Sequence, residues 1–200
     1  MRFILILFAL LACTPSVFAA KTILVLGDSL SAGYGLRPEQ AWPALLGQRL
    51  TQQRLDYNVA NLSISGETTA GGRARLATAL RQHKPDIVIL ALGANDGLRG
   101  LQLGQMRANL EAMIDASRQS GARVLLAGMR LPPNYGPYAE EFAQSFTQIA
   151  RNRKVTLQPF LLEPVAAAPR YFLPDNLHPT AEAQPLILDH IWAPLAPLLK

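Results

Sequence analysis

The sequence is poor in the features that mark several large classes of protein. Cys13 is the only cysteine among 200 residues, which excludes a disulfide framework and a thiolate zinc site within the chain. The apolar run from Phe3 to Ala12 has ten residues, whereas a transmembrane helix needs about 20, so we expect no stable membrane span. Basic residues outnumber acidic ones only 19 to 14, with no basic run longer than two, and we expect no nucleic-acid partner.

Glycine is missing from the last third of the chain, and several nucleotide and hydrolase motifs are missing altogether. No glycine follows Gly136, while eleven of the fifteen prolines lie from Pro132 onward, which predicts stiff late loops. Neither G-x-G-x-x-G nor a P-loop occurs, so nothing supports dinucleotide or ATP binding. The motif G-x-S-x-G, which marks the nucleophile turn of the α/β-hydrolase fold, is also absent, so nothing supports that fold.

What is present indicates one folded domain. Half of the residues are apolar and 16% are charged, and the mean hydropathy is +0.13. Such a chain can bury a sizeable core, and its length fits a single domain.

The N-terminus resembles a secretory signal peptide. A charged start, the short apolar run and small residues at Val17 and Ala19 predict cleavage after Ala19. We therefore expect a signal peptide over 1–19, one domain over 20–200, and a periplasmic or secreted location. The alternative is a lipoprotein acylated at Cys13, although Leu11 fits that motif poorly.

The body alternates strand-like and helix-like segments, which predicts an α/β fold with a mostly parallel sheet. Gly71 and Gly72 weaken the start of the second helix, and Gly121 is placed to end the third. The predicted strands are 22–26, 57–62, 86–92, 123–127 and 155–158. The predicted helices are 41–55, 68–83, 105–120, 138–153 and one from about Thr180.

Polar residues collect just after the predicted strands. In open α/β sheets, ligands bind outside the carboxyl ends of the strands. A hydroxyl, a glycine, an amide and a carboxylate–imidazole pair arrive there on four separate loops, in the segments 27–31, 63–67, 93–97 and 174–179. This set is suited to acyl transfer.

A nucleophile and its base can be chosen from this set. Ser29 needs a base to take its proton, and His178 can serve because an imidazole has an ordinary pKa near 6.5. Asp175 lies three residues earlier, and on a helical turn it would neighbour His178 and orient its ring. We expect the activity to fall at acid pH, where an imidazole base becomes protonated.

The tetrahedral intermediate of acyl transfer also needs hydrogen-bond donors for its oxyanion. The candidates are the backbone N–H groups of Ser29 and Gly66 and the side-chain amide of Asn95.

Each of these residues has a plainer interpretation. Ser29 alone could be a helix N-cap, and Asn95 a turn residue that binds its own backbone. His83 and His190 are interpreted as solvated or structural. Asp28 and Asp96 lack a nearby histidine or a divalent-ion motif, so we expect no metal, and Asp28 is interpreted as orienting the nucleophile turn.

Four blocks together resemble the SGNH (GDSL) hydrolase superfamily, and within it the exported thioesterase, lysophospholipase and arylesterase group. The similarity runs from Thr22 nearly to the C-terminus and includes segments 41–46, 95–100 and 130–136. The blocks are Gly27-Asp28-Ser29-Leu30-Ser31, Gly66, Gly93-Ala94-Asn95-Asp96 and Asp175-Asn176-Leu177-His178-Pro179. Asn176 stands where that family usually has glycine, and Thr180 where asparagine is common.

The resemblance implies a fold and a set of roles. The fold would be a flavodoxin-like α/β/α three-layer sandwich with a five-stranded parallel sheet in the order 2-1-3-4-5. Ser29 would be the nucleophile of a triad with Asp175 and His178, and Ser29, Gly66 and Asn95 would form the oxyanion hole.

The same resemblance implies a serine hydrolase, which we expect to be a monomer that needs no cofactor. Its substrates would be small-molecule or lipid acyl esters and thioesters, aryl esters and lysophospholipids. The apolar loop of Leu131, Pro132, Pro133 and Tyr135 would line an acyl groove, or would serve only to stiffen the backbone.

Two alternatives stay open from the sequence. One is a carbohydrate O-acetylesterase on the same scaffold. The other is a non-catalytic exported module that binds a lipid or a nucleotide at the edge of the sheet.

Overall fold

A computed structural model describes residues 20–200, which form a parallel sheet covered by helices. The segment 1–19, where we predict the signal peptide, lies outside the described residues. The strands are β1 Lys21–Gly27, β2 Tyr57–Asn61, β3 Ile87–Ala91, β4 Arg123–Ala127 and β5 Thr156–Gln158. The helices are α1 Ser29–Ala32, α2 Trp42–Gln52, α3 Thr69–His83, α4 Ala94–Leu98, α5 Leu103–Gln119, α6 Pro137–Arg153 and α7 Gln184–Leu195.

All strand pairs are parallel, and the strand order is β2-β1-β3-β4-β5. This confirms the predicted order. Because β1 has β2 on one side and β3 on the other, the chain reverses its direction of winding at β1. The carboxyl end of β1 is therefore the position where open α/β sheets bind ligands.

The helices cover both faces of the sheet, which confirms the three-layer architecture. Helices α3, α5 and α6 pack beside one another, whereas α2 and α7 pack together elsewhere and α2 lies against β2. Every residue of β3 is buried, as expected of a parallel strand that is covered on both sides. Within residues 20–200, no helix is both long and apolar enough to cross a bilayer.

The long elements agree with the sequence prediction to within a few residues, except at the C-terminus. There a 3₁₀ turn, Ala181–Ala183, precedes α7, which begins at Gln184 rather than near Thr180. The short helices α1 and α4 were not predicted, because four or five residues are too few to display a helical period. Each begins two or three residues after the end of a strand, and both carry residues of the candidate site.

Candidate active site

Ser29 is the first residue of α1 and follows β1 after a single residue. The preceding residue, Asp28, caps this short helix: its Oδ1 accepts a hydrogen bond from the N–H of Leu30 at 3.1 Å. The cap fixes the turn between strand and helix. Ser29 is thereby held at the carboxyl edge of the sheet, where its hydroxyl can meet groups from other loops.

His178 reaches the same edge on the loop that precedes α7. A β-bridge between Phe172 and Pro179 closes this loop. Inside it, Asp175 Oδ1 accepts from the N–H groups of Leu177 and His178 at 2.9 and 3.0 Å. This is an Asx turn, so our expectation of a helical turn is wrong.

Asn176 explains why the turn takes this form. Its φ is +54°, a left-handed conformation that asparagine tolerates better than most residues. An interior helical residue would have a negative φ. The spacing of three between Asp175 and His178 nevertheless brings their side chains together, because the Asx turn also folds the chain back.

Three side chains meet in a continuous chain of hydrogen bonds. His178 Nε2 lies 2.9 Å from Ser29 Oγ, and His178 Nδ1 lies 2.7 Å from Asp175 Oδ2. With the imidazole proton on Nδ1, the ring donates to the carboxylate and Nε2 accepts the hydroxyl proton of Ser29. Separations of 2.6–3.2 Å are what proton transfer requires.

The hydrogen bonds that Asp175 accepts keep its carboxyl group ionised. Hydrogen bonds from the backbone and ring of His178, and then from the backbone of Leu177, lower the pKa of Asp175 to about 2. Its side chain is 40% exposed, whereas that of His178 is 14% exposed. The ring of Tyr34 covers the imidazole, with centroids 4.3 Å apart. Asp175 therefore stays anionic over the neutral pH range.

Three donors converge near Ser29. Among residues 20–200, the backbone N–H groups of Ser29 and Gly66 have no acceptor, so both are free to bind an oxyanion. The amide Nδ2 of Asn95 uses one hydrogen to donate to the carbonyl of Glu67 at 3.0 Å. Its second hydrogen makes only a long contact of 3.5 Å with Asp28 Oδ2, so this hydrogen can turn to an oxyanion instead. Ser29, Gly66 and Asn95 all line one cavity. The arrangement can stabilise a negatively charged oxygen beside Ser29.

Asp28 is a buried carboxyl beside the nucleophile. Its side chain is only 1% exposed, and burial raises its pKa to about 7. Bonds from the backbone and from Asn95 oppose this shift, while the charge of Asp96 reinforces it. Asp28 shapes the turn through its cap on Leu30, in agreement with its interpretation from the sequence.

An apolar cavity of about 550 Å³ opens beside the triad. Of the four loop residues predicted to line an acyl groove, Leu131, Pro132 and Pro133 do so. Tyr135 does not: its hydroxyl donates to the carbonyl of Leu98 at 3.1 Å, so it braces the loop. Other lining residues are not marked by any pattern in the sequence, among them Tyr34, Met129, Phe160, Leu162, Ala166 and Phe172.

The remaining histidines and acidic residues take no part in this cavity. His190 Nε2 contacts the carbonyl of Phe160 at 3.1 Å, and His83 lies at the last position of α3. Asp96 is buried against Thr69. In the part of the chain that the structure describes, no three His, Cys, Asp or Glu side chains are grouped so as to hold a metal ion.

Comparison with known proteins gives consistent matches over most of the chain. The family model described as "GDSL-like Lipase/Acylhydrolase family" matches residues 25–185. The Pseudomonas aeruginosa protein named "Esterase TesA" is 48% identical over 182 residues, which cover 90% of each chain. The Escherichia coli K12 protein named "Thioesterase 1/protease 1/lysophospholipase L1" is 42% identical over 183 residues, covering 91% of this chain and 86% of that one.

One solved structure is similar to this chain in fold as well as in sequence. The structure titled "Crystal Structure of TesA" superposes with a TM-score of 0.87 at 47% identity, covering 89% of this chain and 99% of that chain. The five-stranded parallel sheet and its covering helices therefore form a fold that this solved structure shares.

Proposed function

The chain belongs to the GDSL-like lipase/acylhydrolase family, and from this membership we propose which residues carry out its reaction. It is a serine hydrolase of carboxylic esters and thioesters. We assign Ser29 as nucleophile, His178 as general base and Asp175 as the group that orients the imidazole. The observation that carries this assignment is the 2.9 Å contact between Ser29 Oγ and His178 Nε2.

The first half of the reaction forms an acyl-enzyme. Ser29 Oγ attacks the carbonyl carbon of the substrate while His178 Nε2 takes the hydroxyl proton, and Asp175 stabilises the resulting imidazolium. The carbonyl oxygen becomes an oxyanion, which the N–H groups of Ser29 and Gly66 and the amide of Asn95 bind. When the tetrahedral intermediate collapses, His178 returns its proton to the departing alcohol or thiol.

The second half repeats these steps with water. His178 removes a proton from water, the hydroxide attacks the acyl carbon, and the same donors bind the second oxyanion. Collapse releases the carboxylic acid, and Ser29 recovers its proton from His178. The reaction balances with water as the only co-reactant and needs no cofactor.

The cavity supports acyl chains as the recognised part of the substrate. Its lining is mostly apolar side chains and includes Ser29 and His178, which is typical of sites that bind apolar ligands through a few polar anchors. We propose acyl thioesters, aryl esters and lysophospholipids as substrates. Leu131 and Pro133 would contact the acyl chain, whereas Tyr135 would act only through the loop backbone.

We also propose that the enzyme acts outside the cytoplasm as a monomer. The charged start and short apolar run of residues 1–19 support export.

A substrate panel with a matched variant tests the proposed function. The panel combines p-nitrophenyl esters of increasing acyl length, an acyl thioester, a lysophospholipid and an acetylated sugar. We expect Ser29→Ala to lower turnover of every accepted substrate by roughly a thousandfold or more. Retention of activity by this variant would refute the nucleophile. Preference for the acetylated sugar over longer acyl esters would instead indicate a carbohydrate O-acetylesterase.

A further inference from the structure

The segment 64–69, here called the oxyanion loop, carries the N–H of Gly66 and has little support of its own. Ile64, Ser65 and Gly66 are exposed, and Gly66 has a φ of +79°. Two backbone hydrogen bonds support its first half: the N–H of Ile64 donates to the carbonyl of Gly27, and the N–H of Glu67 donates to the carbonyl of Ile64. Since oxyanion stabilisation depends on donors that are already in place, other contacts must fix this loop.

The missing support comes from α4 and the residue that follows it. Asn95 Nδ2 donates to the carbonyl of Glu67 at 3.0 Å. One residue later, Asp96 accepts from both the N–H and the hydroxyl of Thr69, at 2.8 and 2.5 Å. A turn further, Arg99 Nη2 donates to the carbonyl of Gly66 at 2.9 Å. Three side chains from one short helical segment thus hold three successive points of the oxyanion loop.

Arg99 is not engaged elsewhere. Among residues 20–200 it forms no ion pair with a carboxylate, and its side chain makes no hydrogen bond other than the one to Gly66. The nearby carboxylate of Glu67 is instead paired with Arg75, which donates from Nε to both of its oxygens. The guanidinium of Arg99 therefore contacts the same residue whose N–H we assign to the oxyanion hole.

Asp96 belongs to a buried network of hydrogen bonds that also fixes Thr69. It is 3% exposed, and the Thr69 hydroxyl that donates to it also accepts from Asn109 Nδ2 at 3.1 Å. Asn109 in turn accepts from Arg73 and Gln105 at 3.2 and 3.1 Å. A buried network in which each polar group has a partner is rigid, so Thr69 provides a fixed end for the loop.

We propose that Arg99 and Asp96 are positioning residues for the oxyanion hole, which lock the Gly66 loop against the helix that carries Asn95. This inference rests on the proposed function. Arg99 fixes the carbonyl of Gly66, and Asp96 fixes the end of the loop at Thr69. Neither residue contacts the reacting atoms, and both act through the placement of the Gly66 N–H relative to the Asn95 amide.

Arg99→Met is the informative variant because Arg99 is exposed and its loss leaves the core intact. We expect kcat to fall roughly tenfold with KM unchanged, which is less than the 10²–10³ that follows loss of an oxyanion donor itself. Arg118→Met is the matched control: Arg118 is also an exposed arginine that donates to a main-chain carbonyl, that of Arg153 at 2.8 Å. We expect this control to retain full activity.

A transition-state analogue distinguishes a displaced oxyanion hole from a general loosening of the whole active site. An alkyl boronic acid forms a tetrahedral adduct with the catalytic serine, so its inhibition constant should rise by the same factor as kcat falls in Arg99→Met. The inhibition constant of the corresponding fatty acid, a product, should not change. Arg99→Lys should restore part of the activity, since an ammonium can still donate to Gly66.

Asp96 is tested through its partner, because a buried carboxylate is risky to replace. Thr69→Val removes the hydroxyl that bonds Asp96, whereas Thr69→Ser keeps it. We expect the valine variant to lose kcat and boronic acid affinity in parallel and the serine variant to retain both. If Arg99→Met and Thr69→Val keep normal kcat and boronic acid affinity while hydrolysis still depends on Ser29, the positioning role is refuted and the proposed function survives.

Discussion

At the scale of single residues, two carboxyl groups beside the catalytic pair have opposite electrostatic surroundings. Asp175 is partly exposed and accepts hydrogen bonds from His178 and Leu177, which lower its pKa to about 2. Asp28 is buried, and desolvation raises its pKa to about 7. Asp175 is thus suited to stabilise an imidazolium, whereas Asp28 shapes the turn and is most easily accommodated without charge.

The raised pKa of Asp28 predicts a pH-dependent stability. A carboxyl whose folded pKa lies above its unfolded value stabilises the fold fully below the unfolded value of 3.8, and this contribution is lost as the pH rises towards 7. We expect the loss to reach about 4 kcal/mol at most. Urea unfolding at pH 5 and pH 8 measures the part of this loss that falls above pH 5, which should be about 3 kcal/mol at most.

Asp28→Asn is the variant that isolates this effect. Its amide oxygen can still cap Leu30, and it carries no charge at any pH. Other groups titrate over the same range, so the relevant quantity is the difference between the variant and the natural protein, which should favour the variant more at pH 8 than at pH 5. An equal difference at both pH values would contradict the assignment of this titration to Asp28.

At the scale of elements, α3 shows how packing overrides intrinsic helix preference. Gly71 and Gly72 lie in its first turn and weaken it as an isolated helix. A Cβ at Gly72 would lie 2.3 Å from Leu92 Cδ1, and Leu92 is fully buried. Glycine therefore allows α3 to approach the sheet closely, next to the oxyanion loop.

This close approach predicts opposite results for two glycine substitutions. Gly72→Ala should lower the free energy of unfolding by about 1–3 kcal/mol, because the buried side chain of Leu92 would have to shift to make room for the new methyl group. Gly104→Ala in α5 should raise it by up to about 1 kcal/mol, since a Cβ there would meet only the end of Arg107 at 3.9 Å. Denaturant unfolding of both variants tests the pair, and equal effects would contradict this explanation.

Regular elements were predictable from the sequence because they repeat a pattern. The segment Ile87–Ala91 is apolar at each position and buried at each position, so β3 was recognisable as a covered strand. Longer helices showed their periodicity, and the strand order followed from the family resemblance. These long-range features place the four loops at one edge of the sheet.

The features that could not be predicted depend on local contacts or on tertiary structure. The Asx turn at Asp175 and the positive φ of Asn176 are set by two or three hydrogen bonds, which a spacing of three residues does not distinguish from a helical turn. Tyr34 stacks on His178 across a long sequence separation, and no period in the sequence reveals such a contact. Tyr135 lies in an apolar loop, yet its hydroxyl contacts Leu98 rather than the cavity.

At the scale of the whole molecule, the parallel sheet brings distant parts of the chain to one place. The residues at positions 29, 66, 95 and 178 follow different strands and meet at the edge where the winding reverses. Ser29 and His178 are 149 residues apart in the sequence, so the strands and helices between them must fold before the nucleophile and its base can meet.

Export is the prediction that belongs to this scale. We expect the secreted protein to begin at Ala20 and to lack Cys13, because the signal peptide would be removed after Ala19. N-terminal sequencing and intact mass measurement of the exported protein test the cleavage. Cys13→Ser should not change its location, whereas loss of membrane attachment in that variant would indicate a lipoprotein.

The central claim is that His178 activates Ser29 as a nucleophile, and covalent labelling tests it most directly. The protein is treated with a fluorophosphonate, and the modified peptide is identified by mass spectrometry. We predict one adduct, on Ser29, which forms much more slowly in His178→Ala at neutral pH. Hydrolysis of esters by a protein that is never labelled at Ser29 would contradict the account.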